Sequence, residues 1–226
     1  MLIDETSGAH SGDELVLQET LKARIWWTSR ARMQTEKRLL SNHFQAQVVL
    51  LYYSFFSTCI AIYYLKFDNA NDLANVSWLS FSILTMIASI FISTLRYKER
   101  ADSVKQCYES LTSIYSRIHQ ETSLSELYEI EDKYNYTCSL CENHSSSDYG
   151  AAIISEYSKN DKDGRQRLSK KPTCHLRIEN NVNKIKRLVL LIAIYSLPII
   201  VLLLPSYIAP STQTYKIETP SLHYVR

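Results

Sequence analysis

The chain has 226 residues, 25 Lys and Arg against 23 Asp and Glu, and a net charge of +2. That length suits one soluble domain with a few membrane helices and excludes several domains, and the near-neutral balance says little about partners through whole-molecule electrostatics. The average hides a mosaic: no Asp, Glu, Lys or Arg occurs from Leu39 to Leu65, from Leu73 to Leu95 or from Leu188 to Tyr215.

In chain order, residues 1–13 are polar, carry Gly8 and Gly12, and are expected to be disordered. No secretory signal pattern precedes the first apolar run, so that run is expected to act as its own insertion signal. From Glu14 the pattern turns helical, with Leu15, Leu21, Ile25 and Trp26 on one side and Arg or Lys elsewhere. Trp26 and Trp27 suit an interfacial amphipathic helix with indoles at headgroup level, a reading preferred over a docking surface on a cytoplasmic domain. Residues 1–43 therefore form a cytoplasmic N-terminal segment.

Residues 44–95 read as a transmembrane hairpin with spans at 44–65 and 76–95, since about 20 apolar residues cross the hydrocarbon layer. Arg24, Arg30, Arg32, Lys37 and Arg38 precede the first span, and Arg96, Lys98 and Arg100 follow the second. The loop between them has one Lys against Asp68 and Asp72. The positive-inside rule puts both hairpin ends in the cytoplasm.

The second span is expected to run unbroken into a cytoplasmic helix, because neither Gly nor Pro lies between Arg96 and Gln120. Val104, Tyr108, Leu111, Tyr115 and Ile118 form a coiled-coil-like stripe on it. Ser123 with Glu126 is a capping box that starts the next helix, on which Leu124, Leu127, Tyr134 and Cys141 share a face. The two helices would pair as an antiparallel hairpin within a domain at 96–158. Ser145 and Asp148 are candidate caps for a short helix, Tyr149–Tyr157. Residues 159–187 read as a basic linker and a helix from His175 to Arg187. A third span follows at 188–208, containing Pro198 and Pro205, and 209–226 form an external tail.

The fold class is thus an all-α membrane protein: an N-terminal transmembrane hairpin continuing into a cytoplasmic helical hairpin, plus a C-terminal third transmembrane helix. Cys138, Cys141 and His144 with Cys174 or His175 could ligate zinc, but the first pair lies on a regular helix and no second C-x-x-C exists, so buried thiols are the preferred reading. No G-x-S-x-G or triad pattern supports nucleophilic catalysis, and no cofactor motif occurs. Glu142, His144 and Asp148 suit a helix end better than an acid–base cluster. Within the spans, Ser82, Thr85, Ser89 and Ser93 share one face, and Ser54, Ser57 and Thr58 form another. Such faces pack helices closely or, in an oligomer, line a pore. With no charge in the hydrocarbon, a selective filter is not expected.

The segments RIWWTSRARMQTEKRLL, RYKERADSVKQCYESL and LYEIEDKYNYTCSLCENHSSSDY resemble the SLATT family of two-transmembrane bacterial effector domains, closest to the subgroup beside reverse transcriptases, including retrons. The resemblance covers roughly Glu14 to Tyr157 and leaves the third span outside. It implies a non-enzymatic antiviral effector that permeabilises the inner membrane and kills the infected cell. The implied partners are the bilayer, further copies of the chain when active, and a reverse transcriptase–RNA complex as regulator. Direct nucleic-acid binding stays open. Trp27, Arg30, Glu36 and Arg38 match the entry segment. Arg96, Tyr97, Glu99 and Arg100 match the exit, and Glu142, Asn143, His144, Asp148 and Tyr149 match the helix end. The resemblance assigns none of them a catalytic role. The remaining alternatives are a passive anchor or scaffold, and an effector of a nucleotide-signalling system.

Overall fold

One helix of 63 residues, α1 (Glu5–Phe67), carries the chain from its polar start through the first apolar run. It contains no proline, and its two glycines lie in its first turns, so no residue interrupts propagation once the helix is nucleated. The N-terminal segment expected to be disordered is therefore helical from Glu5 onward. A computed structural model describes residues 5–67, 72–119 and 123–208, and the expected external tail lies outside them. After α1 come α2 (Asp72–Thr94), α3 (Tyr97–Tyr115), α4 (Leu124–Ser139), α5 (Ser146–Lys159), α6 (Lys162–Arg167) and α7 (Cys174–Ile208). Among the described residues there is no strand.

The contacts divide the chain into two compact units, Met1–Ala46 with Leu95–Leu188 and Gln47–Thr94 with Val189–Arg226. In the first unit, α1 buries a stripe that includes Leu21, Ile25, Arg32, Thr35 and Leu39, at spacings of three, four and seven that keep one helix face inward. Leu21 and Ile25 join Leu111 and Ile114 of α3, Ile118 just beyond it, and Leu127, Ile130 and Tyr134 of α4 in one core. Leu39 packs with Ala101 and Val104 in a second. The α3 and α4 stripes thus meet as expected, but α1 is the third wall of their core. Tyr115 stays 38% exposed, whereas Ala101, Cys107 and Ile114 are buried.

The caps are local and form as read. Ser123 and Glu126 make the capping box of α4, with the Ser123 amide donating to Glu126 Oε2 at 3.0 Å. Ser145 and Asp148 do the same for α5. The stretch read as a linker holds α6, whose N-cap Asp161 accepts from the Gly164 amide at 2.9 Å.

The expected unbroken passage from the second span into the cytoplasmic helix does not occur. α2 ends at Thr94, and α3 begins at Tyr97. Between them Arg96 sits in the left-handed region, φ 46° and ψ 41°. That conformation reverses the backbone twist for one residue and ends the hydrogen-bond ladder without Gly or Pro.

In the second unit, parts of α1 and α2 form the hairpin and the apolar part of α7 packs on it. α1, α2 and α7 are each long and apolar enough to cross a membrane. Tyr53, Trp78 and Phe81 form the buried centre, flanked by Phe56 and Ile60 of α1 and Ile194, Leu197 and Val201 of α7. Leu51, Phe55, Leu79, Phe91, Ile192 and Leu203 are among the side chains that point outward and stay exposed. An apolar exterior around an aromatic centre is what a lipid environment requires and water opposes.

Candidate functional site

Two sites emerge, one in each unit. In the membrane unit a groove of about 660 Å³ runs between α1 and α2. Six of the seven hydroxyl residues picked out from the sequence line it: Ser54, Ser57 and Thr58 on α1, and Ser82, Thr85 and Ser89 on α2. Ser93 does not line it and is exposed beyond its end. Leu50, Leu51, Met86 and Ile90 complete the wall. The stripes face one another, and the hydroxyls of Ser57 and Ser82 lie 3.3 Å apart.

The donors in this groove turn inward. Thr58 donates to the Ser54 carbonyl at 2.9 Å, Ser82 to Trp78 at 3.0 Å and Thr85 to Phe81 at 2.9 Å. A hydroxyl bonded to its own helix four residues back still has acceptor lone pairs. The groove therefore offers oxygen acceptors without a fixed charge, a surface that suits water, small cations or a donor on a neighbouring helix.

Behind the groove, α7 is held by a specific repair. Pro198 has no amide hydrogen, so the carbonyl of Ile194, four residues earlier, loses its helical partner. The Tyr53 hydroxyl donates to that oxygen at 2.7 Å, and Tyr52 donates to the next carbonyl, Tyr195, at 3.4 Å. A proline is tolerated inside a span when a neighbouring helix satisfies the freed acceptor, and α1 does so here.

In the other unit several of the matched motif residues converge. Asp148, 4% exposed at the start of α5, is the hub. Its carboxylate accepts from Arg38 through Nε and Nη2, both at 2.9 Å, from the Thr35 hydroxyl at 3.0 Å and from the Ser145 hydroxyl at 2.8 Å. Burial pushes this carboxyl up, but the hydrogen bonds from Arg38 and Ser145 more than offset it and hold it below its ordinary value. Asp148 in turn holds the Arg38 guanidinium above its own.

A second two-pronged pair joins the start of α3 to the end of α4. Arg100 donates to Glu142 through Nε at 2.8 Å and Nη2 at 2.6 Å, which lowers the Glu142 carboxyl. Beside it, the Asn143 side chain accepts from the His144 amide at 3.0 Å, and the His144 ring stacks on Tyr149, centroids 5.6 Å apart. Burial, then the nearby Arg32 charge, hold His144 below its ordinary pKa, so its neutral form is the one the fold accommodates. Arg30 reaches Glu156 at 3.8 Å. Burial and the neighbouring Glu36 carboxylate push Tyr108 up to about 12. Tyr97 packs against Leu39 and its neighbours, while Arg96 and Glu99 pair at 3.5 Å in solvent.

Trp27 is not a headgroup anchor. Trp27 is 3% exposed, and its indole donates to the Ser169 hydroxyl at 2.7 Å, so the docking reading replaces the interfacial one. The C-x-x-C thiols do not join a ligand set either. Among the described residues no three His, Cys, Asp or Glu side chains are placed to hold a metal ion. Cys107 and Cys141 both point their thiols at the Thr137 carbonyl, at 3.3 and 3.9 Å, and Cys174 is exposed. Burial pushes Cys107 up to about 12, which makes it a poor nucleophile or ligand.

A family model for the SMODS and SLOG-associating 2TM effector domain family 5 matches residues 16–210. The chain belongs to that family. No curated protein and no solved structure matches this effector. The matched region runs through α7, so the third apolar helix belongs to the effector domain and is not an addition outside it. Its packing agrees, since Ile194, Leu197 and Val201 of α7 sit on the aromatic centre of the hairpin.

Three further positions hold the packing together without a local sequence motif. Arg32 is 1% exposed and has no carboxylate partner among the described residues. Its guanidinium donates to the Cys138 carbonyl at 3.2 Å and contacts the Cys107 thiol. It sits at the carbonyl end of α4, where a cation is favoured. Thr35 is fully buried against Asp148. Arg187, which the sequence marks only as the last residue before the third span, binds Ser41 at 2.9 Å, Asn42 at 3.1 Å and Gln45 at 2.7 Å, tying α7 to α1. Recurrence of Arg32, Thr35 and Leu39 on one helical face was the signal that could have exposed the first two.

Proposed function

We propose that this effector is the killing component of a bacterial antiviral defence system, breaching the inner membrane when triggered. The observation that carries the reading is the groove in which Ser57, Ser82, Thr85 and Ser89 present uncharged oxygens between two apolar helices. In a monomer such a face is open, and pairing with further copies would enclose it as a wet path for ions. The protein acts as a non-enzymatic device. The basic flanks favour both ends of the hairpin in the cytoplasm, with the end of α7 in the periplasm. A reverse transcriptase–RNA complex would hold the resting state. The left-handed residue Arg96, at the exit of α2, is the backbone position through which a change in the cytoplasmic unit would reach the span.

Vesicles of bacterial polar lipids loaded with a potassium-sensitive dye test the breach. Purified effector should release potassium in a concentration-dependent way steeper than first order. Intact vesicles at protein-to-lipid ratios that saturate insertion would overturn the reading. A passive anchor is the second reading, favoured by the inward hydrogen bonds of Thr58, Ser82 and Thr85, which already satisfy those hydroxyls. Under it, valine at Ser82, Thr85 and Ser89 leaves function unchanged.

A further inference from the structure

A cleft of about 260 Å³ opens in the non-membrane unit where α1, the end of α3 and the segment after α6 meet. Its walls bring together Lys22, Trp26 and Trp27 of α1, Tyr115 of α3, and Arg167 and Ser169. Two cations and three aromatic rings line it, and no carboxylate does.

The state of each wall residue matters. Most neighbouring cations are already committed: Arg24 to Glu131 and the Tyr134 ring, Arg30 to Glu156 and one face of Trp26, Arg165 to the Tyr157 carbonyl and ring. Lys22 and Arg167 have no hydrogen bond or ion pair among the described residues. Trp27 is fixed by its bond to Ser169 and by an edge contact with Trp26, centroids 4.6 Å apart. Arg30 lies over Trp26 at 5.2 Å without lining the cleft, so the cleft meets another part of that indole. A rigid aromatic wall beside two uncommitted cations matches a ligand with a flat ring and a compact anion on one small molecule. The volume falls just under the roughly 300–1,000 Å³ of drug-sized sites, which leaves room for one such unit.

We propose that this cleft binds a mononucleotide, its base against Trp26 and Tyr115 and its phosphate on Lys22 and Arg167. Ser169 ties the segment after α6 to Trp27, so ligand on Arg167 would fasten that segment to α1. The site is independent of the membrane-breach reading, because binding is measured without any leak.

The test is indole fluorescence of full-length effector in detergent, titrated with AMP, adenosine and inorganic phosphate. Trp26 and Trp27 report the cleft, and Trp78 lies in the membrane unit. AMP should quench saturably, with adenosine and phosphate each at least tenfold weaker. Arg167 is exposed, so R167Q leaves the fold intact; it and K22Q should each weaken AMP at least fivefold, and equilibrium dialysis should give the same order. No saturation by AMP at 10 mM, equal binding of phosphate alone, or unchanged affinity in both variants overturns the proposal.

Discussion

The Tyr53 hydroxyl bonds to the carbonyl oxygen of Ile194 at 2.7 Å, the oxygen that Pro198 deprives of its helical donor. A helix with a defect and a helix with a matching donor are thereby committed to one register. Losing one hydrogen bond in a span costs about 1 kcal/mol. Y53F should therefore destabilise the effector by about that much. In a P198A background, where an amide can again reach Ile194, the same change should cost little. Reversible unfolding in mixed micelles measures both, and a double-mutant coupling near zero would show that the contact is incidental.

Asp148 holds α1 to α5 through Arg38, Thr35 and its own cap. Removing one partner of a buried pair costs about 3–5 kcal/mol, and a discount for the 36% exposure of Arg38 brings the D148A loss to about 2–3 kcal/mol. R100Q, which breaks a pair about 40% exposed, should cost about 0.5–1 kcal/mol. Chemical denaturation followed by circular dichroism separates the two. Equal losses would remove Asp148 from its central place.

Proton linkage gives two windows. Asp148 and Glu142 have folded pKa values below their ordinary 3.8 and 4.5. Their contribution is present above those ordinary values and is lost as pH falls through the folded ones, so acid unfolding should steepen below about pH 4. His144 is lowered from 6.5 and should act earlier. Below 6.5 the unfolded chain takes a proton that the folded ring refuses, so stability declines as pH drops from there. H144F should remove the decline between pH 6.5 and 5 while keeping the stack on Tyr149. A decline that survives the substitution would assign it to other groups.

Arg96 pays for its left-handed backbone by roughly 1–2 kcal/mol relative to a residue free of that penalty. R96G should stabilise the effector or leave it unchanged despite the lost charge. R96I should destabilise it by about 1–2 kcal/mol, because a β-branched residue resists positive φ. Thermal unfolding of the two variants should bracket the natural chain, and the reverse order would place the break between α2 and α3 elsewhere.

The three long apolar helices were legible because length and the absence of charge are properties of a single segment. The caps at Ser123 and Ser145 were legible because both partners lie three residues apart. The break at Arg96 was not, since arginine carries no turn signal and its left-handed backbone leaves no mark in the residue pattern. Trp27 was misread because its partner Ser169 lies 142 residues away, and an indole before a span has the same local pattern whether it meets lipid or protein. The hydroxyl faces of the spans were legible from helical spacing alone, but where the groove ends was not, and Ser93 lies outside it. The repair of Pro198 by Tyr53 needs the third helix in place, which no pattern within either helix supplies.

In the proposed reading the hydroxyl-lined membrane unit breaches the bilayer. Membrane potential, read by a voltage-sensitive dye in bacteria expressing the effector with its trigger supplied, tests it most directly. A variant with valine at Ser57, Ser82, Thr85 and Ser89, at matched membrane abundance, is the comparison. Depolarisation should precede loss of viability with the natural chain, and the potential should hold with the variant. Cells that die with their potential intact, or a variant that depolarises them equally, would contradict it.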